Sequence, residues 1–262
     1  MNQKERFAKQ ARIWEQSISN SDVWNDAINQ AIEDTNVHDV GMDLETVAHL
    51  NARQYDTILS FTTKSSYEAV KELWDKGERN ICVLNFASYF VPGGNYLKGS
   101  VSQEESLCLV SGLYRVLVKC RIYDGRQNSR VSPMYTSEMV YSEKVPFTKE
   151  YGVLSEEPIL IDVLSAHAPN CNNIYLKELS SYVDVIRERV DMILQLPLIH
   201  GAECIVLGAW GVGSLGNDVS VIANEFSRAT AIMDGKYKEI VYAIPKSQTL
   251  CKFMEAHSSN DR

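Results

Sequence analysis

The sequence predicts an α/β fold, a sandwich of helices around a largely parallel or mixed sheet. Short apolar runs bounded by turn residues alternate with stretches of helical periodicity. Two of those runs lead directly into glycine-rich loops, as strands do at the ligand-binding edge of an open α/β sheet. At 262 residues and 45% hydrophobic, the chain can bury one substantial core. We therefore read residues 1–262 as one domain, with about 1–45 as a helical N-terminal extension packed on it.

The elements follow in order. Phe7, Ala11, Trp14 and Ile18, then Trp24, Ala27, Ile28 and Ala31, recur at three- and four-residue spacing, so residues 3–34 read as helical. Ser19-Asn20-Ser21 is the point at which that stretch can divide. A strand at Thr57–Phe61 precedes a helix at Ser65–Asp75, and Ile81–Phe86 reads as a buried strand. After Glu105, the positions Leu107, Val110, Leu113, Tyr114 and Leu117 share one helix face. Residues 121–157 are polar and irregular, with a short strand near Met139–Tyr141. Ile159–Leu164 is the next buried strand, and Leu179–Leu196 a helix stopped by Pro197. Cys204–Leu207 is a strand, Val219–Met233 a helix, and Ile240–Ile244 the last strand.

Composition narrows the function. A net charge of −8 argues against a dedicated nucleic-acid surface, which needs a basic field. An anionic ligand would be held locally, by backbone dipoles. The six cysteines include no C-x-x-C pair, and several lie in apolar runs, as buried free thiols do. The five histidines do not cluster with them, so no metal and no other cofactor is expected. Met1–Arg6 lacks a hydrophobic signal core, and no run approaches a membrane-spanning length, so a cytoplasmic protein without membrane contact is expected.

The most informative stretch runs from Pro92 to Glu105. Gly93 and Gly94 allow main-chain N–H groups close to an anion, because glycine lacks a Cβ and adopts positive φ cheaply. Glu104 and Glu105 then stand at a helix start, giving a phosphate cradle with an acid beside it. Ser102-Gln103-Glu104-Glu105 also matches the S-x-x-E capping box, in which Glu105 only stabilises the helix. A second loop, Gly208–Asp218, follows Cys204–Leu207, and two such loops at one sheet edge could clamp a diphosphate. Within it Gly211-Val212-Gly213-Ser214-Leu215-Gly216 spells G-x-G-x-x-G. A dinucleotide fingerprint usually opens its fold and is followed by an acid after the next strand, whereas Ile240–Ile244 runs into Pro245-Lys246. A phosphate loop of another α/β fold explains the glycines better. Asn217-Asp218 reads as a helix cap, and His167 as a lining residue.

These motifs resemble the microbial type of poly(ADP-ribose) glycohydrolase, a catalytic branch of the macrodomain superfamily. Its signature is a triple glycine, a short spacer and Gln-Glu-Glu; here it reads Gly93-Gly94-Asn95, seven residues, then Gln103-Glu104-Glu105. The likeness extends to Leu84–Ser88, to Val163–Asn170 and to Leu207–Asp218. It implies a three-layer α/β/α sandwich with a macrodomain-like mixed sheet. It implies Glu105 as general acid, Glu104 on the ribose beside the scissile bond, and Gln103 positioning the pair. Asn85, Ala87, Ser88, Pro92, Gly93, Gly94 and Asn95 are then expected along the reacting ribose and diphosphate. Gly208, Ala209, Trp210, Gly211, Val212, Gly213, Ser214, Leu215 and Asn217 are expected on the other side. The implied reaction is hydrolysis of the ribose–ribose bond of poly(ADP-ribose), from the chain end, releasing ADP-ribose.

Such a bond breaks with oxocarbenium character while the departing hydroxyl takes a proton. A glutamic acid can supply that proton when a neighbouring carboxylate and a bound diphosphate favour its neutral form. Asn95 and Leu215 depart from the family's third glycine and its aromatic residue, which points to an altered substrate such as a mono-ADP-ribosylated protein. An ADP-ribose reader without catalysis and a nicotinamide-dependent oxidoreductase are the competing functions.

Overall fold

Ile81-Cys82-Val83-Leu84 is apolar at every position because it is covered on both faces. Ile81 and Val83 join one hydrophobic cluster while Cys82 and Leu84 join another, so this strand lies at the centre of three layers. The computed structural model describes residues 1–39, 54–126, 131–174 and 179–258. Its strands are β1 (Thr35–His38), β2 (Ile58–Thr62), β3 (Ile81–Phe86), β4 (Met139–Phe147), β5 (Ile159–Ala166), β6 (Cys204–Leu207) and β7 (Glu239–Ala243). They form one mixed sheet in the order β1-β4-β5-β3-β6-β7-β2. From β5 to β2 all neighbours are parallel, and β4 runs antiparallel to both β5 and β1. The carboxyl ends of β3, β5, β6, β7 and β2 therefore share one edge.

One face is covered by α1 (Gln3–Ser19), α2 (Asp22–Glu33), α3 (Ser66–Asp75), α4 (Gln103–Cys108) and α5 (Leu113–Val118). The other carries α6 (Leu179–Ile199), α7 (Val219–Ile232) and α8 (Ser247–Ser258). The expected three-layer α/β/α sandwich is the fold found. Among the described residues, no helix is long and apolar enough to cross a membrane.

Local signals set several boundaries. Helix α1 starts with a reciprocal capping box between Asn2 and Glu5, and α3 with one between Ser65 and Glu68. The Ser21 side chain caps α2, which is the division expected at Ser19-Asn20-Ser21. Trp14 and Trp24 then meet edge to face at 5.5 Å. Their indole N–H groups donate to the Ser111 carbonyl at 3.0 Å and the Ser155 carbonyl at 2.8 Å. These contacts fasten the N-terminal helices to the sheet layer.

Five expectations change. The N-terminal extension is not helical throughout: β1 pairs with β4, and its polar Asn36 and His38 hid an edge strand. Residues 40–45 of that extension lie outside the described residues. The helix after Glu105 is two helices, because Gly112 N–H donates to the Pro146 carbonyl and Thr148 N–H to that of Val110. Strand β4 reaches Phe147 rather than ending near Tyr141. A register shift after Ser142, with Lys144 at φ +52°, breaks the alternation that would have marked it. Helix α6 passes through Pro197 and ends two residues later at Ile199, and Gly201 at φ +84° follows. Helix α8 follows the last strand and buries Leu250, Phe253 and His257, a three-and-four spacing visible in the sequence.

Replacing Trp24, fully buried and hydrogen-bonded, by alanine should cost about 3–5 kcal/mol. Urea unfolding of Trp24→Ala beside the parent chain measures it; a loss below about 1 kcal/mol would mean that the N-terminal helices are not integral to the core.

Candidate functional site

Strand β3 ends at Phe86, and the chain turns through residues 87–102 before entering α4. Gly93 and Gly94 adopt φ +67° and +61°, the left-handed region that favours glycine. A Cβ on Gly94 would lie 2.6 Å from Glu105 Oε1 and 3.1 Å from Glu104 Oε2, so both carboxylates press against this residue. A Cβ on Gly93 would lie 2.7 Å from the Tyr114 ring.

Glu105 is 6% exposed and serves two structures at once. Its Oε2 accepts from the Ser102 N–H at 3.1 Å and from the Ser102 hydroxyl, closing the capping box of α4. Its Oε1 accepts from the Asn95 N–H at 2.9 Å, on the glycine loop. The capping reading and the loop reading of Glu105 therefore hold together. Asn95 sits at φ −101°, so its place in the third-glycine position requires no left-handed backbone. Its side chain is exposed, and its amide supplies the bond to Glu105.

Glu104 is 2% exposed, accepting from the Ser88 N–H at 2.9 Å and from Asn85 Nδ2 at 3.3 Å. Its pKa is pushed up to about 8. Burial is the main cause; the Ser88 and Asn85 bonds pull it down, and the neighbouring charge of Glu105 adds to the rise. Asn85 Nδ2 also reaches Ser165 Oγ at 3.0 Å on β5. Gln103 locks the start of α4 to β3: Nε2 donates to the Leu84 carbonyl at 2.7 Å, and Oε1 accepts from the Phe86 N–H at 2.9 Å. Asn85 and Ser88 thus hold Glu104, Gln103 anchors the helix that carries both glutamates, and Ala87 is buried.

The second loop leaves β6, the hydrogen-bonded neighbour of β3. Gly208 passes between the Ala243 carbonyl and the Phe86 ring, which a Cβ would approach to 2.8 and 2.9 Å. Among the described residues, the N–H groups of Gly211, Gly213 and Ser214 have no protein acceptor. Open amides of this kind form an anion-binding concavity. Two expected ligand residues face inward instead. Trp210 is fully buried with its indole N–H on the Ala166 carbonyl at 3.1 Å. Asn217 Nδ2 bonds the Pro169 and Gly211 carbonyls at 2.8 and 2.9 Å, and its Oδ1 accepts from the Tyr182 hydroxyl at 2.8 Å. Both side chains are thus engaged within the protein, and their main-chain N–H groups donate to the Gly208 and Gly211 carbonyls at 2.8 and 3.2 Å. Leu215 is half-buried against the α6–α8 side of the core.

A third wall was missed from sequence. Arg126, 7% exposed, lies 4.1 Å above the Tyr89 ring, and pairs with Glu138 at 2.6 Å. Its Nη1 is 3.1 Å from His167 Nε2, and His167 Nδ1 is 3.3 Å from the Ala87 carbonyl. Burial, then the charge of Arg126, lowers the His167 pKa to about 3, so the ring is neutral and lines the wall. Tyr135 stacks on Tyr89 at 4.4 Å although its φ is +58°, a strained value for tyrosine. The buried Arg189 holds that turn by donating to the Met134, Tyr135 and His167 carbonyls at 2.6, 3.2 and 3.0 Å. No short-range pattern marks these arginines, because their partners come from distant segments.

A family model for the catalytic domain of microbial-type PARG matches residues 5–150. The crystal structure of poly(ADP-ribose) glycohydrolase (PARG) from Thermomonospora curvata is 26% identical with a TM-score of 0.86, over 96% of this chain and 99% of that one. The same protein bound to the inhibitor ADP-HPD is 26% identical, with a TM-score of 0.82 over the same shares. The PARG from Deinococcus radiodurans in complex with ADP-ribose is 26% identical, with a TM-score of 0.78 over 88% of this chain and 97% of that one. Comparison with curated proteins gives no match.

Glu104 binds a proton more tightly in the folded chain than its ordinary value of 4.5 allows in the unfolded one. Its contribution to stability is full below about pH 4.5 and is lost as pH rises towards 8. Glu104→Gln should remove this slope and, at pH 8, raise stability by an amount on the order of 1–3 kcal/mol. Urea midpoints for both proteins at pH 5 and pH 8 test it; equal slopes would contradict the raised pKa.

Proposed function

The chain belongs to the microbial-type PARG family, and from that premise we propose that it hydrolyses poly(ADP-ribose) at the ribose–ribose O-glycosidic bond, working from the chain end and releasing ADP-ribose. The observation that carries this reading is Glu105, held beneath Gly94 by the Asn95 amide, with a second carboxyl beside it that keeps its proton at neutral pH.

In the proposed reaction the diphosphate lies against the open amides of Gly211, Gly213 and Ser214 and the Gly93–Gly94 turn. The anomeric carbon of the terminal ribose then faces Glu105, and Glu104 binds the ribose hydroxyls. As the C1–O bond lengthens, Glu105 delivers the proton to the leaving 2′-oxygen, and the carboxylate this leaves on Glu105 stabilises the oxocarbenium charge. Water attacks C1 and gives up a proton to Glu105, which restores its acid form. Backbone dipoles hold the anionic substrate locally on a chain whose net charge is −8. All six cysteines are unpaired, which fits a reducing compartment, and we place the reaction in the cytoplasm.

The test is incubation with poly(ADP-ribose) and with mono-ADP-ribosylated protein, followed by product analysis. Release of ADP-ribose from the polymer is expected. Saturable binding without release would make the chain a reader, and release from the mono-modified protein alone would make it a hydrolase of single units. Glu105→Gln should lower kcat by roughly a hundredfold to ten-thousandfold while ADP-ribose still binds. Full activity of that variant would remove the assignment of Glu105.

A further inference from the structure

A cleft of about 390 Å³ opens on the outer side of the glycine loop, between that loop and the first turn of α1. Gln3, Lys4, Asn95, Lys98, Ser100 and Val101 line it. Its wall is fixed by packing: a Cβ on Gly99, at φ +85°, would lie 2.0 Å from the Lys4 carbonyl, and the Tyr96 hydroxyl donates to the Ala11 carbonyl at 3.4 Å. The cleft shares Asn95 with the candidate site, where the amide of that residue holds Glu105. The cleft therefore adjoins the loop residue that holds Glu105.

The chemistry of its rim is selective. Lys4 and Lys98 are exposed, and among the described residues neither has a carboxylate partner. Gln3, Asn95 and Ser100 add neutral donors. The nearest acid on α1, Glu5, turns back to the Asn2 amide and side chain at 3.0 and 3.2 Å. On a chain of net charge −8, two exposed ammonium groups on a cleft that adjoins the loop holding Glu105 select for an anion.

We propose that this cleft is a leaving-group subsite, which binds the diphosphate of the ADP-ribose unit next to the bond being broken. The inference rests on the hydrolase reading above and deepens it, by making the polymer rather than a single unit the preferred substrate. In poly(ADP-ribose) the 2′-oxygen that departs is one ribose away from the next phosphate. In a mono-ADP-ribosylated protein no phosphate follows the bond, and the two lysines have nothing to hold.

The experiment compares the parent protein with Lys4→Glu/Lys98→Glu and with Lys4→Arg/Lys98→Arg. Poly(ADP-ribose) turnover is measured at low and high salt, and ADP-ribose affinity by calorimetry. The glutamate variant should lose about tenfold in kcat/KM on polymer, mainly through KM, with a flatter salt dependence. The arginine variant should retain turnover. Affinity for ADP-ribose, which lies on the other side of the bond, should be unchanged in both and shows that the fold is intact. Unchanged polymer kinetics in the glutamate variant, or an equal loss of ADP-ribose affinity, would overturn the subsite alone. A parent protein that leaves polymer uncut would overturn the hydrolase reading, and the subsite with it.

Discussion

The carboxylate of Glu105 is the tie on which the candidate site depends. One oxygen closes the capping box of a six-residue helix, and the other receives the Asn95 amide from a loop that began at β3. A helix so short is weakly stable on its own, and its start is fixed by this cap and by Gln103 bonded to β3. The glycine loop is in turn drawn down onto the helix. Loop and acid cannot be placed independently, because one side chain defines both.

The layers around this tie serve to hold it. Helix α1 lies against the back of the loop at Gly99, and α1 and α2 are themselves pinned by two tryptophans donating to carbonyls across the domain. On the far side Arg126 and Arg189, both buried, gather the loops that follow β5 and precede β4. Guanidinium groups suit this work, since several planar donors can satisfy carbonyls from separate segments at once. The site is thus built on loops, but those loops are braced from both sides.

Electrostatics distinguish the two glutamates although they are adjacent. Glu104 is deeper, has neutral donors only, and holds its proton to about pH 8. The acidic balance of the chain would repel a polyanion at long range, so its recognition has to be local. Open amides on the second loop and two lysines on the outer cleft are groups that could supply it.

The residues alone determined the strand-and-helix alternation, the layer architecture, and the location of both glycine loops at one sheet edge. Periodicity and glycine placement are short-range signals, and they survive without knowledge of the partner segments. The same signals failed at β4, where a bulge and a proline interrupt the pattern, and at β1, whose polar residues read as loop. Tertiary structure decided which oxygen of Glu105 faces the loop, that Trp210 and Asn217 turn inward, and that Arg126 joins the site. It also decided that the first turn of α1 meets the glycine loop near Lys98. Each of these joins residues far apart in the chain, and only the folded packing, which removes water and fixes distances, makes such pairs neighbours.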